Sequence, residues 1–153
     1  MSDKEIKIKT RDFGEIAIKP GDILRFTCGM YGFEDNINYV ILKDSPEDDI
    51  MFLQSVENTD LSFVVIDPYT ILRNYEPLLA EEDLIELKVK SEDELKYLVI
   101  AIIKDNIKDS VVNLKSPVAI NPETKAAKQI ILQNTYPLRY NILAAEEEKR
   151  CLL

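Results

Sequence analysis

In the first half of this chain, short runs of alternating apolar and polar residues recur about every ten positions, each closed by a polar turn. That rhythm specifies short strands joined to their sequence neighbours, an antiparallel meander that closes as a small barrel or sandwich. The segment EIKIKT turns Ile6 and Ile8 to one face and Lys7 and Lys9 to the other, and EIAIK repeats the pattern at Ile16 and Ile18. RDFG between them supplies the turn of a hairpin. Further strands are expected at ILRFT, YVILK (39–43), IMFLQSV (50–56) and LSFVVID (61–67). Two runs, FVVI and YLVIAII (97–103), are apolar on both faces. Such strands belong in the middle of a fold, covered from both sides.

The turns carry information of their own. All four glycines, Gly14, Gly21, Gly29 and Gly32, lie before residue 33, so backbone freedom is concentrated at this end. KPGD (19–22) is expected as a type II turn, with Pro20 preset in φ and Gly21 free to take the positive φ that follows. In FTCGMYGFED (26–35), Gly29 and Gly32 read as turn and bulge residues. They do not make a phosphate loop, which needs a Gly-rich spacing, a Lys-Ser/Thr pair and a strand-to-helix setting. Phe33 stands beside Glu34 and Asp35. Turned inward it completes the core, its expected place; turned outward it is an aromatic rimmed by carboxylates, suited to protein contact.

One region breaks the strand rhythm. LAEEDLIEL (79–87) has an apolar face behind an acidic first turn, and SEDEL (91–95) sets a Glu three residues after a Ser, so one or two short helices should pack on the barrel. Glu81, Glu82 and Asp83 then complement the helix dipole by about 0.3–1 kcal/mol each with no partner needed. Downstream, two strands (117–121 and 128–133) flank a hairpin turn at NPETK, NTYPLRYNI is extended, and AAEEEKR forms a helical tail. The expected fold is mainly β: a single small antiparallel β-barrel-like domain over residues 1–140 with one or two short helices. An acidic tail, helical or disordered, follows at 141–153.

Composition narrows the chemistry. A chain of 153 residues buries about 70% of its unfolded surface without staples. Histidine is absent, which removes the usual neutral-pH base and the commonest metal ligand; enzymes built from carboxylates and lysines remain open, but catalysis is not the expectation. Cys28 and Cys151 are too few for a disulfide framework or a zinc site and read as free thiols. The first ten residues lack the apolar core of a secretory signal, and no apolar run is long enough to span a membrane, so the cytoplasm is expected. The net charge is −9, and it is segregated: from Asp44 to Glu94 fifteen acids face only Arg73, Lys88 and Lys90. A surface of that sign repels phosphate backbones and speeds encounter with basic partners; its plain alternative is that it keeps the chain soluble.

Individual motifs give little catalytic signal. Asp67 before Pro68 closes a strand, where Asp bonds backbone amides and Pro ends the ladder. A catalytic role for Asp67, or a cation site shared with Asp44, Glu47, Asp48 and Asp49, defines the alternative reading: a carboxylate-dependent hydrolase or cation-binding protein. The calcium-loop spacing is missing from that cluster, which reads more simply as a solvated loop. Tyr69, Tyr75, Tyr136 and Tyr140 lie in loops or near the C-terminal segment and suit contact surfaces or a half-buried rim.

Together, FGEIAI, FTCGMYGFED, FLQSVENTDLSFVVIDP, SPVAINPETKAAKQIILQN and YPLRY, in this order and spacing, resemble the flagellar assembly factor FliW family from about Ile6 to Tyr140. Tyr31 stands where the family commonly has proline, and Ala127 where it often has glycine. The resemblance implies a cytosolic, non-enzymatic regulator with a small β-barrel-like fold. It would need no cofactor and would contact neither nucleic acid nor membrane directly. Its partners would be CsrA, a small basic RNA-binding dimer that represses flagellin translation, and flagellin itself, which displaces CsrA when it accumulates; the free protein would be monomeric. On that reading the carboxylates of Glu34, Asp35, Glu47, Asp48, Asp49, Glu81, Glu82 and Asp83 face CsrA, and exposed loop aromatics, Phe33 and Tyr69 among them, are the candidates for flagellin.

Overall fold

A computed structural model describes residues 4–144. Eleven strands are present: β1 (Ile6–Lys9), β2 (Glu15–Ile18), β3 (Leu24–Phe26), β4 (Asn38–Leu42), β5 (Ile50–Ser55), β6 (Ser62–Ile66), β7 (Lys96–Ile102), β8 (Val111–Val112), β9 (Val118–Ile120), β10 (Ala126–Gln129) and β11 (Tyr140–Asn141). Seven of them close a barrel in the order β3-β4-β5-β6-β7-β9-β10, with β10 returning to β3. Each pair in it is antiparallel except β10 with β3, where Ala126 and Ala127 lie beside Arg25 and Phe26 in parallel. The short strands β8 and β11 extend the wall beyond the far end of β7. β1 and β2 form a separate hairpin.

Strand periodicity of two assigns the two faces of the wall. Leu24, Phe26, Tyr39, Leu53, Val65 and Leu98 point into the barrel and pack there with Met30 and Val118. The outer face of β6 and β7 is apolar as well, and Ile66, Tyr97, Val99 and Ala101 are buried under Ile71, Tyr75, Leu79, Leu87 and Leu95 from the segment between these two strands. The double covering follows from the two-sided apolar runs. A third patch forms where the hairpin lies on the barrel: Ile8 and Ile18 bury Val40, and the Phe13 ring meets Phe52 edge-on at 5.4 Å.

A polar side chain fastens this arrangement. Gln54 is 1% exposed, and its Nε2 donates to the carbonyl oxygens of Ser55, Asn58, Thr59 and Leu61 at 3.0–3.3 Å. Its Oε1 accepts the backbone amide of Arg11 at 3.0 Å, so one residue holds the 56–61 loop closed and ties the hairpin to the barrel. Ser55 Oγ takes the amides of Glu57 and Asn58, and Glu57 Oε1 takes those of Ile37 and Asn38. The QSVEN stretch is thus a set of loop clamps.

Three expectations are corrected. Gly21 does not take a positive φ; Pro20–Asp22 is a 3-10 turn, because Asp22 accepts the Lys19 amide on Oδ2 and donates its own amide to the Lys19 carbonyl. The strand expected at 128–133 begins earlier, at Ala126, and continues as single hydrogen bonds from Ile130 to Pro117 and from Leu132 to Lys115. The two-residue strand β8 carries no alternation to read and was absent from the expected set. The helix is α1 (Glu81–Glu86), followed by a 3-10 turn at Glu92–Glu94. Asn141 pairs with Val111, and Ile142 donates to the Ser110 carbonyl; the rest of the expected tail, from 145 to 153, lies outside the described residues.

Replacing Gln54 by leucine removes the acceptor of the Arg11 amide and the side-chain donor that the 55–61 carbonyls share in a part-buried site, at about 1–3 kcal/mol. Urea unfolding should show that loss without a change in slope. The 3-10 turn offers a pH test. Hydrogen bonds from the Lys90 and Ser91 amides hold Glu94 below the usual carboxylate range, so its contribution to stability is present above pH about 4.5 and is lost as pH falls through the lowered value. The difference in thermal midpoint between wild type and Glu94→Gln should therefore shrink on acidification.

Candidate functional site

Strand direction distributes the candidate residues. β4 and β5 are joined by the 43–49 loop, and Ile50 lies beside Ile66, so this loop and the start of the 67–95 segment leave the barrel at one end. The 27–37 loop, with Phe33, Glu34 and Asp35, joins β3 to β4 at the other end. The carboxylates expected to act as one surface are therefore split between the two ends.

Their availability also differs. Asp44, Glu47, Asp49, Glu81 and Glu82 are exposed, and their side chains make no hydrogen bond or ion pair among the described residues. Asp48 is exposed and accepts only the Ser45 amide, at 3.1 Å. Asp83 departs from the expected exposed set. Its side chain is 14% exposed and bonds Lys128 Nζ at 2.7 Å, with Glu86 completing the pair at 2.9 Å. Partial burial pulls the Lys128 ammonium down, but the two carboxylates outweigh it and the net shift is upward. Asp83 is thus a tether between α1 and β10. Asp67 accepts the Tyr69 amide at 3.0 Å and caps the 3-10 turn Pro68–Thr70, with Pro68 buried. No group of three or more Asp, Glu or Cys side chains among the described residues is placed to hold a metal ion.

The loop that opens on Phe26 turns on its glycines. Gly29 and Gly32 have φ of +71° and +87°, and between them the Phe33 amide donates to the Met30 carbonyl at 2.8 Å. Glu34 folds back to accept the Gly32 amide, and Gln129 Oε1 takes the amide of Tyr31. Met30 goes into the barrel at 1% exposure. Phe33 does not, contrary to its expected core position: it is 43% exposed, resting edge-to-face on Phe63 at 5.4 Å. With Met30 already filling the barrel mouth, the tight turn sends Phe33 over the rim, next to exposed Tyr31 and to Glu34 and Asp35.

Among the loop tyrosines, Tyr75 is buried, Tyr136 and Tyr140 are half-buried, and Tyr69 is 43% exposed. Tyr69 stands at a cavity of about 530 Å³ whose other walls include Tyr75, Tyr97, Glu76, Glu92 and Asp93. Sequence reading missed this grouping. The acids were legible only as part of a charged stretch, and nothing local says that 69–78 and 92–97 fold against each other.

The model of the FliW protein family matches residues 7–142. The chain belongs to the FliW family. It is 39% identical over 140 residues to the flagellar assembly factor FliW of Thermoanaerobacter pseudethanolicus, covering 90% of this chain and 93% of that protein. The flagellar assembly factor FliW of Ruminiclostridium cellulolyticum is 35% identical over 138 residues, covering 89% and 93%. A crystal structure of the flagellar assembly factor FliW superimposes with a TM-score of 0.83 at 34% identity, over 90% of this chain and 96% of that one.

The motifs behind the FliW resemblance now have physical roles. QSVEN clamps a loop, and Asn121 of NPETK donates to the Leu87 carbonyl and accepts the amides of Glu123 and Thr124. The first glycine of the FTCGMYGFED turn is compulsory: a Cβ there would lie 2.8 Å from the Glu34 Cα and 2.9 Å from its carbonyl oxygen. At Gly32 nothing lies within 4 Å, so only the positive φ resists a side chain. Gly29→Ala should then lose about 3 kcal/mol or more in chemical unfolding, and Gly32→Ala only about 1 kcal/mol. Equal losses would mean that backbone conformation alone, and not the close approach to Glu34, governs the turn.

Proposed function

We propose that this FliW-family chain is a cytoplasmic, non-enzymatic flagellar assembly factor. In this reading it binds the translational repressor CsrA through its carboxylate-rich surface and releases it when flagellin occupies the chain instead. The observation that carries this is the uncompensated charge: Asp44, Glu47, Asp49, Glu81 and Glu82 are exposed and unpaired among the described residues, in a stretch with only three basic residues. An RNA-binding protein is basic where it meets phosphate. Carboxylates brought beside such a surface accelerate its capture and disfavour RNA there within a Debye length of about 8 Å. The family relationship supports the flagellar role, since the relatives bear the name flagellar assembly factor.

Flagellin requires a different surface, because the segments it buries in a filament are apolar. The exposed pair Tyr31 and Phe33, carried on a turn that hydrogen bonds fix on both sides, suits such a contact. This patch and the 43–49 loop lie at opposite ends of the barrel, so flagellin would displace CsrA without covering the loop carboxylates.

Reversing Asp48, Asp49, Glu81 and Glu82 to lysine together should slow CsrA association by about tenfold at low ionic strength, with a smaller effect on dissociation. Surface plasmon resonance at two salt concentrations measures both. An association rate equal to wild type at low salt contradicts the electrostatic reading.

A further inference from the structure

The cavity beside Tyr69 has a chemistry that the CsrA and flagellin reading does not use. Two of its three tyrosines are locked: the Tyr75 hydroxyl donates to the Leu114 carbonyl at 2.7 Å, and the Tyr97 hydroxyl donates to the Glu92 carbonyl at 2.8 Å. Tyr75 is further gripped between Tyr69, 5.9 Å away edge-on, and Tyr136 at 4.8 Å. With their protons committed to the backbone, the Tyr75 and Tyr97 hydroxyls offer no free donor for an anion.

The acidic groups give the cavity its sign. Glu76 and Asp93 are exposed and their carboxylates make no hydrogen bond or ion pair among the described residues. Glu92 uses one oxygen, accepting the Leu79 amide at 3.2 Å. Among the described residues, no lysine or arginine lines the space. The tyrosine at the mouth registers the resulting field: burial raises its hydroxyl pKa first, and the charges of Asp67, Asp93 and Glu76 raise it further.

Aromatic faces beside unpaired carboxylates bind cations, and a planar guanidinium satisfies both at once by stacking on a ring while its N–H fork meets a carboxylate. A volume of about 530 Å³ accommodates such a side chain. The lip is apolar, with Tyr69 43% and Leu78 51% exposed. Such a lip meets the surface surrounding an arginine on a folded partner, and offers a free amino acid nothing. We propose that this cavity receives an arginine side chain from a protein partner, its guanidinium against the exposed Tyr69 ring and paired with Glu76 and Asp93. The inference stands on the cavity and not on which protein supplies the arginine, so it holds or fails apart from the CsrA reading.

The test is an NMR titration of the ¹⁵N-labelled chain with Nα-acetyl-arginine methylamide, the equally capped but neutral citrulline, and free arginine. Saturable shifts at the Tyr69, Leu78 and Asp93 amides are expected from capped arginine, and none from capped citrulline. The isosteric pair Glu76→Gln/Asp93→Asn, and separately Tyr69→Ala, should weaken the capped-arginine response by about tenfold while the rest of the spectrum stays unchanged, which also shows the variants folded. No shift with capped arginine, or an equal shift with citrulline, overturns the proposal. Tighter binding of free than of capped arginine, by about tenfold or more, overturns it too, since the site would then serve a small molecule.

Discussion

Strand β7 is apolar on both faces, and most of the molecule is arranged around covering it. Leu98 and Ile100 face the barrel interior, while Tyr97, Val99 and Ala101 face outward. Each buried aliphatic side chain of this size is worth about 1.5–3 kcal/mol, so neither face can be left in water. The inner face is satisfied by closing the sheet through β9 and β10 onto β3. The outer face obliges the 67–95 segment to fold back over the wall, and that return places α1, the tyrosine cavity and Leu87 where they are. Asn121 then fastens the return by bonding the Leu87 carbonyl from the β9–β10 turn, and Lys128 holds α1 from β10 through Asp83 and Glu86.

The acidity of the chain divides on the same lines. Part of it is structural: Glu57, Asp67, Glu92 and Glu94 accept backbone amides, and Asp83 and Glu86 are committed to Lys128. These groups fix loops and helix ends, and their removal would be felt in folding. Of the remainder, Asp44, Glu47, Asp49, Glu81 and Glu82 make no side-chain hydrogen bond or ion pair among the described residues, and Asp48 accepts only the Ser45 amide. Charge that is costly to concentrate and is not used internally is charge available to a partner. That division is why the proposed partner surface comprises Glu47, Asp48, Asp49, Glu81 and Glu82, and why Asp83, held by Lys128, is left out of it.

The barrel was legible because its signals are local and its period is two. Alternation placed β1, β2, β4, β5 and β6 to within about two residues, and the two-sided runs foretold the double covering. The Ser91–Glu94 spacing found the 3-10 turn. What failed depended on contacts distant in sequence. The parallel pairing of β10 with β3 links residues about a hundred positions apart, and the two residues of β8 are strand only because β7 and β11 flank them. Phe33 was misplaced for a similar reason: local pattern cannot tell that Met30 has already taken the barrel mouth. The candidate carboxylates were visible by type, but their sorting into tethers and free charges required knowing where Lys128 lies.

The central claim is that this chain opposes an RNA-binding repressor by occupying it, and yields to flagellin. It is tested most directly by fluorescence anisotropy of a labelled flagellin messenger leader bound to CsrA. Adding the chain should lower the anisotropy as RNA is released, and further addition of flagellin should restore it. Anisotropy that stays unchanged when the chain is in excess over CsrA would contradict the account.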